Sequence, residues 1–321
     1  MLSIMASTSP RPTSFFRRRL RRFAWAFLTL VLAVLLLSAL TYWYFHPAIA
    51  KQERIPYTKR DGIELTFDLI QPENPNGKAI LVMNSGSWKS NRDHFRSWLV
   101  APLLRSGFSV FAISHVSQPR VTIMDTVDDV QRATRYIRHH AEEYGVDPDY
   151  FGVTGGSSGG HISLCLATLG DPGDPGDPTA PDPIDRESSA IQAVATFFPV
   201  TDLLNLGDST QNPGDGGPPK SDVKGFGPDS TDLEKWKVIG RRISPIFHVK
   251  PDLAPILIYH GDADTLVSLD QGTRFKTAAE AVGAGPVEIV VREGKGHGWV
   301  GAIFDIQHFV RWFEEHLSAE E

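Results

Sequence analysis

The chain has 321 residues, a net charge of −6 and a single cysteine, Cys165. Once a basic and apolar N-terminal segment is set aside, this length suits one α/β domain of about 250 residues with its own core. The negative charge and the lack of a long basic face in the rest of the chain argue against nucleic acid as a partner. One cysteine excludes an internal disulfide and a thiolate metal cluster.

The N-terminal segment has the composition of a membrane anchor. Residues 1–22 end in a cluster of arginines, and residues 23–45 contain no charged side chain. Such an apolar stretch can span a bilayer, and the arginines favour a cytoplasmic N-terminus. We therefore expect a transmembrane helix at 23–45, a linker at 46–60 and an extracytoplasmic globular domain at 61–321. The small-x-small sequence Ala48-Ile49-Ala50 leaves a cleaved signal peptide, and hence a secreted domain, as the alternative.

Strand-like and helix-like segments alternate along the rest of the chain. The alternating pattern of Gly62–Leu69 predicts a half-exposed edge strand, and apolar runs predict buried strands at Lys78–Met83, Phe108–Ile113, Ile191–Val200, Pro255–His260 and Val287–Val291. Helical spacing is found at His94–Leu104, Val127–Tyr144 and Phe304–Leu317. This order predicts a mostly parallel central sheet with helices on both faces.

Two segments interrupt the alternation. Asp171–Ser188 and Gly207–Ser230 are rich in Gly, Pro and Asp, so we expect long surface loops that pack no core. Loops that leave the carboxyl ends of parallel strands form the ligand crevice, and we place both segments near its rim. Their acidic residues lack the spacing of an EF-hand loop, so no metal site is predicted.

The stretch from Tyr150 to Gly170 is a strand, a turn and a helix around Gly155-Gly156-Ser157-Ser158-Gly159-Gly160. A serine at the tip of such a sharp turn requires residues without a Cβ two positions before and after it. This G-x-S-x-G pattern is the nucleophile elbow. It fits Ser157 and, one residue later, Ser158, of which we favour Ser157. A dinucleotide-binding loop would need Gly at position 157, and a P-loop would need Lys before Ser or Thr.

A nucleophilic serine needs a base, a carboxylate that orients the base, and donors for the oxyanion. His297 lies in a glycine-rich loop after the last predicted strand and is the predicted base. Asp264, shortly after another buried strand, is the predicted acid. Asp262 is the rival and could instead cap the turn. The chain order Ser, Asp, His is that of α/β-hydrolases.

The oxyanion donors are expected from two places. One is the N–H of Ser158, the residue after the nucleophile. The others are the N–H groups of Gly86 and Ser87, because small residues there let a carbonyl approach the backbone. Trp88, which closes this loop, either walls the cleft or anchors the loop in the core.

Residues 61–321 resemble the α/β-hydrolase fold and, within it, carboxylesterases of the hormone-sensitive-lipase and feruloyl-esterase-like (BD-FAE-like) groups. Those enzymes typically carry Gly-x-Ser-Ala-Gly-Gly-His at the elbow and His-Gly-x-x-Asp-x-x-Val at the acid. The matching stretches here are 155–161 and 260–267, and both alignments select Ser157 and Asp264. The oxyanion loop departs from the family pattern, since Asn84-Ser85-Gly86-Ser87-Trp88 stands in place of His-Gly-Gly-Gly-Trp.

Together with the N-terminal apolar segment, the motifs and the resemblance predict a membrane-anchored serine hydrolase that cleaves small-molecule carboxylic esters through an acyl-enzyme. The resemblance implies neither a metal nor an organic cofactor. A peptidase of the prolyl-oligopeptidase type resembles the same core, but such enzymes usually carry a large additional domain. A hydrolase-like binding module that has lost catalysis is the other alternative.

Overall fold

The computed structural model describes residues 14–90, 92–169 and 176–318. They belong to two units, one ending at His46 and one beginning at Pro47. The first contains helix α1 (Ser14–Phe45), whose Arg18–Phe45 stretch is long and apolar enough to cross a membrane. The same features suit a signal sequence. Of the predicted cytoplasmic segment, residues 1–13 lie outside the described residues.

The second unit is built on one sheet, which has eight strands in the part of the chain that the structure describes. The strands are β1 (Ile49–Arg60), β2 (Ile63–Pro72), β3 (Ala79–Met83), β4 (Ser109–Ile113), β5 (Phe151–Gly156), β6 (Ala193–Phe197), β7 (Ile256–Gly261) and β8 (Val287–Arg292). Their order is β1-β2-β4-β3-β5-β6-β7-β8. Strands β3 to β8 run parallel, and β2 is antiparallel to both of its neighbours. The predicted mostly parallel sheet is confirmed.

Helices cover both faces of this sheet. They are α2 (Ala101–Arg105), α3 (Ile123–His139), α4 (Ser158–Leu169), α5 (Leu233–Arg242), α6 (Asp270–Ala281) and α7 (Ala302–His316). One apolar core contains buried side chains of α3 to α6, including Ile137 and Phe275. The other contains those of α2 and α7, including Leu103 and Phe313. Burial of both faces explains why the parallel strands are continuous apolar runs.

The predicted linker 46–60 is wrong for most of its length, because residues 49–60 form strand β1. Tyr57 of β1 is 3% exposed, and its hydroxyl donates to the carbonyl of Ser114 at 2.9 Å. β2 is therefore an interior strand and not the predicted edge. β1 was not recognised from the sequence because edge strands are polar and bury few side chains, so they carry little apolar pattern.

The predicted helix at 94–104 is shorter than expected. The chain there forms 3₁₀ turns at Arg92–His94 and Ser97–Val100, followed by α2. Pro102 lies in the first turn of α2, where a missing N–H is tolerated, and it would break a helix that started earlier. The long helix predicted from residue 127 instead begins at Ile123, after a capping box formed by Thr122 and Asp125.

The segment 207–230 packs a core, contrary to the prediction. Phe226 is 4% exposed, and its ring contacts those of Trp236 and Trp88 at centroid distances of 4.9 and 5.6 Å. The prediction rested on the average composition of the segment, which does not reveal a single buried residue. One buried aromatic side chain is enough to fix a Gly- and Pro-rich segment onto the domain.

The segment 171–188 does not lie at the predicted crevice rim over the part that is described, 176–188. Arg132 of α3 pairs there with Asp182 and Asp185 at 2.5 and 2.6 Å. The segment follows a helix and leads into β6, so it approaches the amino ends of the strands, whereas the crevice lies at the carboxyl ends. The rest of its Asp-Pro-Gly repeat, up to residue 175, lies outside the described residues.

A chain that begins at Pro47 should fold, whereas one that begins at Asp61, the predicted domain start, should aggregate or melt far earlier. Loss of β1 removes Tyr57 from the core, worth roughly 2 kcal/mol by itself, and leaves β2 as an unpaired edge. Thermal unfolding and size-exclusion chromatography of the two chains measure this. Melting temperatures within a few degrees of each other would contradict the structural role of β1.

Candidate active site

The turn between β5 and α4 has Ser157 at its tip. Ser157 adopts a φ of 56°, and its N–H donates to the carbonyl of Phe197 at 3.0 Å. A Cβ at Gly155 would lie 2.6 Å from the carbonyl carbon and oxygen of Gly159, a contact that backbone atoms cannot relieve. The two glycines that flank Ser157 are therefore required by the turn, as the G-x-S-x-G pattern predicts.

Ser158, the alternative nucleophile, lies one residue further on as the first residue of α4. It is 2% exposed, and its hydroxyl hydrogen-bonds that of Ser85 at 3.2 Å. Its hydroxyl is thus already engaged with the loop after β3, which favours Ser157 as the reactive group.

His297 and Asp264 meet after β8 and β7, the last two strands. The Nδ1–H of His297 donates to Asp264 Oδ2 at 2.8 Å. The Asp264 side chain is fully buried, and its Oδ1 accepts the N–H groups of Leu266 and Val267 at 2.9 and 3.0 Å. The predicted base and acid are therefore in contact, with the carboxylate held by its own turn.

Asp262, the rival acid, is exposed and points elsewhere. Its Oδ1 accepts the N–H of Gly294 at 2.6 Å, so it ties the loop after β7 to the loop that carries His297. The two loops pack closely, since a Cβ at Gly261 would lie 2.2 Å from the carbonyl oxygen of Lys295.

The charge of Asp264 is stabilised by its hydrogen bonds. Burial by itself would raise the pKa of this carboxyl, but the bonds from His297 and from the N–H of Val267 bring the pKa below its ordinary value. Buried His260 donates to the carbonyl of Val267 at 2.8 Å, and burial lowers its pKa. A neutral His260 leaves the negative charge of Asp264 to orient His297.

The loop after β3 forms a two-residue turn. Gly86 and Lys89 exchange two backbone hydrogen bonds of 3.0 and 2.9 Å, and the central residues Ser87 and Trp88 have φ angles of 47° and 50°. Two positive φ angles are typical of a type I′ hairpin turn. The N–H of Gly86 is used by this turn, which contradicts its prediction as an oxyanion donor. Ser87 and Ser158 border the same cleft as Ser157.

Trp88 both anchors the loop and lines the cleft, so its two predicted roles coexist. Its Nε1–H donates to His161 Nδ1 at 3.0 Å, and His161 Nε2–H donates to the carbonyl of Ile243 at 2.7 Å. His161 is the histidine that follows the elbow glycines. Burial lowers its pKa to about 4, so the ring is neutral and can accept from Trp88.

A cleft that is partly open to solvent lies in front of Ser157, with about 510 Å³ of empty space when the open part is included. The segment 207–230 lies at its rim, as predicted, and supplies Ser209, Gln211, Pro219 and Asp222. A second depression borders Gly155 and Gly156 and is lined in part by Phe95, Leu99, Phe197 and Phe309.

Phe198 was not identified from the sequence as part of the site. Its ring lies 4.4 Å from that of His297, centroid to centroid, and it carries a φ of 35°. Its position directly after β6 was the available signal, because residues that follow parallel strands line the crevice.

No cluster of three or more His, Cys, Asp or Glu side chains able to hold a metal ion occurs within the described ranges. Cys165 is buried, and burial raises the pKa of its thiol, so it does not act as a thiolate.

A mostly parallel sheet, a serine on a strand-to-helix turn and a His–Asp pair after later strands define an α/β-hydrolase fold. The family model described as BD-FAE matches residues 67–279. The chain therefore belongs to the BD-FAE family, and the resemblance to the feruloyl-esterase-like group is confirmed.

Three similar proteins illustrate the family. The probable carboxylic ester hydrolase LipM of Mycobacterium tuberculosis is 30% identical over 63% of this chain and 44% of its own length. Esterase LipQ of the same organism is 27% identical over 82% of this chain and 59% of its own. The structure of Thermogutta terrifontis esterase 2 phosphonylated by sarin aligns with a TM-score of 0.62 at 25% identity, over 84% of this chain and 96% of that one. The chain spans about half the length of the curated relatives it matches.

Stability should fall as the pH is lowered from about 6.5 to 4, in part because of His161. The unfolded chain binds a proton at this histidine near pH 6.5, whereas the folded chain does so only near its pKa of about 4. The protonation of the unfolded state then costs about 3 kcal/mol at pH 4.

His161→Gln keeps an acceptor for Trp88 and a donor for Ile243 but does not titrate. It should flatten the dependence of the unfolding free energy on pH between 4 and 6.5, as measured by urea denaturation. Burial also lowers the pKa of His115 to about 4, so His115 should still cause part of this pH dependence in the variant. Equal slopes for the variant and the wild type would contradict the neutral state of His161.

Proposed function

We propose that this protein is a serine hydrolase that cleaves carboxylic esters, with Ser157 as nucleophile, His297 as base and Asp264 as the acid that orients the base. The contact that carries the proposal is the 2.8 Å hydrogen bond from His297 to a buried, ionised Asp264. A serine held at a left-handed turn on the same sheet edge supplies the third member.

In this mechanism, the bond from Nδ1 of His297 to Asp264 leaves Nε2 to take the proton of Ser157. Ser157 Oγ attacks the ester carbonyl, and the N–H groups of Ser158 and Ser87 stabilise the oxyanion. The partial positive charge at the N-terminus of α4 also stabilises the oxyanion. His297 then protonates the leaving alcohol, and water attacks the acyl-enzyme with His297 again as base.

The relatives support an ester as the bond that is cleaved. LipM and LipQ are named as a carboxylic ester hydrolase and an esterase, and the Thermogutta terrifontis enzyme is an esterase that is phosphonylated by sarin. We infer small-molecule esters as substrates, and a fluorophosphonate probe as a reagent for Ser157.

Two other outcomes of the assays are informative. Faster cleavage of aminoacyl anilides than of p-nitrophenyl esters would indicate a peptidase of the prolyl-oligopeptidase type. Absence of both activities, together with no fluorophosphonate labelling, would indicate a binding module that has lost catalysis.

Ser157→Ala should lower kcat for p-nitrophenyl esters by about 10⁴-fold or more and abolish fluorophosphonate labelling. Ser158→Ala retains its N–H and loses only the bond to Ser85, so it should keep about a tenth or more of the activity. In the same way, Asp264→Asn should lower kcat by about 10⁴-fold, whereas Asp262→Asn should keep about a tenth or more of the activity. Full activity of Ser157→Ala would assign the nucleophile elsewhere.

We also propose that α1 anchors the protein in a membrane with the catalytic domain outside the cytoplasm, as the apolar Arg18–Phe45 stretch supports. The protein should stay in the membrane pellet after alkaline carbonate extraction and dissolve only in detergent. A soluble, secreted chain whose N-terminal sequence begins at Lys51 would instead identify a cleaved signal peptide.

A further inference from the structure

Gln118, in the loop after β4, is one of the residues that hold the turn that presents Ser87. Gln118 is 5% exposed. Its backbone N–H donates to the carbonyl of Trp88 at 3.1 Å, and its side-chain Nε2 donates to the carbonyl of Ser87 at 3.3 Å. Both carbonyl groups at the tip of the turn therefore accept hydrogen bonds from the same residue.

The amide of Gln118 also reaches the wall of the cleft. Its Nε2 donates to Asp222 Oδ1 at 2.8 Å, and Asp222 lines the cleft in front of Ser157. The segment closes tightly on this amide, because a Cβ at Gly225 would lie 3.0 Å from its carbonyl carbon and oxygen. One side chain thus joins the loop after β3 to the segment 207–230.

The turn needs such support because its backbone is strained. Ser87 and Trp88 both have positive φ angles without being glycine, which costs about 1 kcal/mol or more for each residue. A conformation of this kind persists only where its surroundings enforce it. The bond from Trp88 to His161 restrains one side of the turn, and Gln118 restrains the other.

We propose that Gln118 is a positioning residue of the hydrolase site. It holds Ser87 in the left-handed conformation that directs its N–H to the oxyanion, and it fixes this turn to the Asp222 wall of the cleft. The proposal rests on the proposed function, since it assigns Ser87 a role in ester hydrolysis.

Oxyanion donors act mainly in the transition state, where charge develops on the carbonyl oxygen. A displaced Ser87 N–H should therefore lower kcat while the KM changes little. If the residue served only to stabilise the fold, its substitution would lower the melting temperature without selectively lowering kcat.

The variant Gln118→Met, in the full-length protein, keeps the volume of the side chain and removes its donor. We expect kcat for p-nitrophenyl butyrate to fall by about ten- to a hundredfold, with a KM within about threefold of wild type. The second-order rate of fluorophosphonate labelling should fall in parallel, because the phosphonyl oxygen uses the same donors.

Gln71→Met is the matched control. The Nε2 of Gln71 also donates to two acceptors, the Tyr144 carbonyl at 2.8 Å and the Ser109 hydroxyl at 3.2 Å, but it lies at the amino end of β4. The Gln71→Met variant should lose about as much thermal stability as Gln118→Met and keep kcat within about twofold of wild type. Equal loss of kcat in both variants, or an unchanged kcat in Gln118→Met, would overturn the proposal.

Gln118→Asn covers the case in which the methionine variant does not fold. Its amide remains polar but is one methylene too short for Ser87 and Asp222, so kcat should again fall without a matching rise in KM. An unchanged kcat in a folded Gln118→Asn would also overturn the proposal.

Failure of the proposed function would be seen separately, as a wild-type protein that hydrolyses no ester. If such a wild type is still labelled by fluorophosphonate, the labelling rates of wild type, Gln118→Met and Gln71→Met decide whether Gln118 positions the donors around Ser157. A wild type that is not labelled overturns this proposal together with the proposed function.

Discussion

The close approach of the backbone at Gly155 and Gly159 is the constraint on which the site depends. A Cβ on either residue would not fit. Because both are glycine, their backbones can approach and β5 can turn directly into α4 with Ser157 at the tip. The turn fixes three features at once: the left-handed φ of the serine, the start of the helix and the position of the Ser158 N–H. A single steric requirement thereby places both the proposed nucleophile and one of the proposed oxyanion donors.

Backbone strain is concentrated around the cleft. Of the six non-glycine residues with positive φ in the described parts of the chain, four border the site: Ser87, Trp88, Ser157 and Phe198. Strain of this kind needs rigid surroundings. The sheet supplies them through β5 and β6, and buried polar contacts supply them for the turn at Ser87. The same rigidity keeps Asp264 buried and ionised against His297.

What the sequence predicted correctly is local in origin. The glycines around Ser157 and the apolar strands are dictated by contacts within a few residues, so their spacing is visible in the chain. The strand β1 and the burial of Phe226 depend on surfaces supplied by distant segments, and both were missed. The N–H of Gly86 was assigned wrongly because the hydrogen bond that occupies it depends on a turn type that the residues Ser87 and Trp88 do not favour by themselves.

The loop after β3 has serines where the pattern His-Gly-Gly-Gly-Trp has glycines, and the structure shows how the loop keeps its conformation without them. Glycine reaches a left-handed conformation at no steric cost, whereas serine and tryptophan need external support. The replacing residues take part in that support, because the hydroxyl of Ser85 bonds to Ser158 and the indole of Trp88 bonds to His161. Gln118, from a third segment, completes it. The conformation that glycine adopts by itself is held here by hydrogen bonds, so the geometry of the proposed oxyanion donors depends on residues far from the loop in sequence.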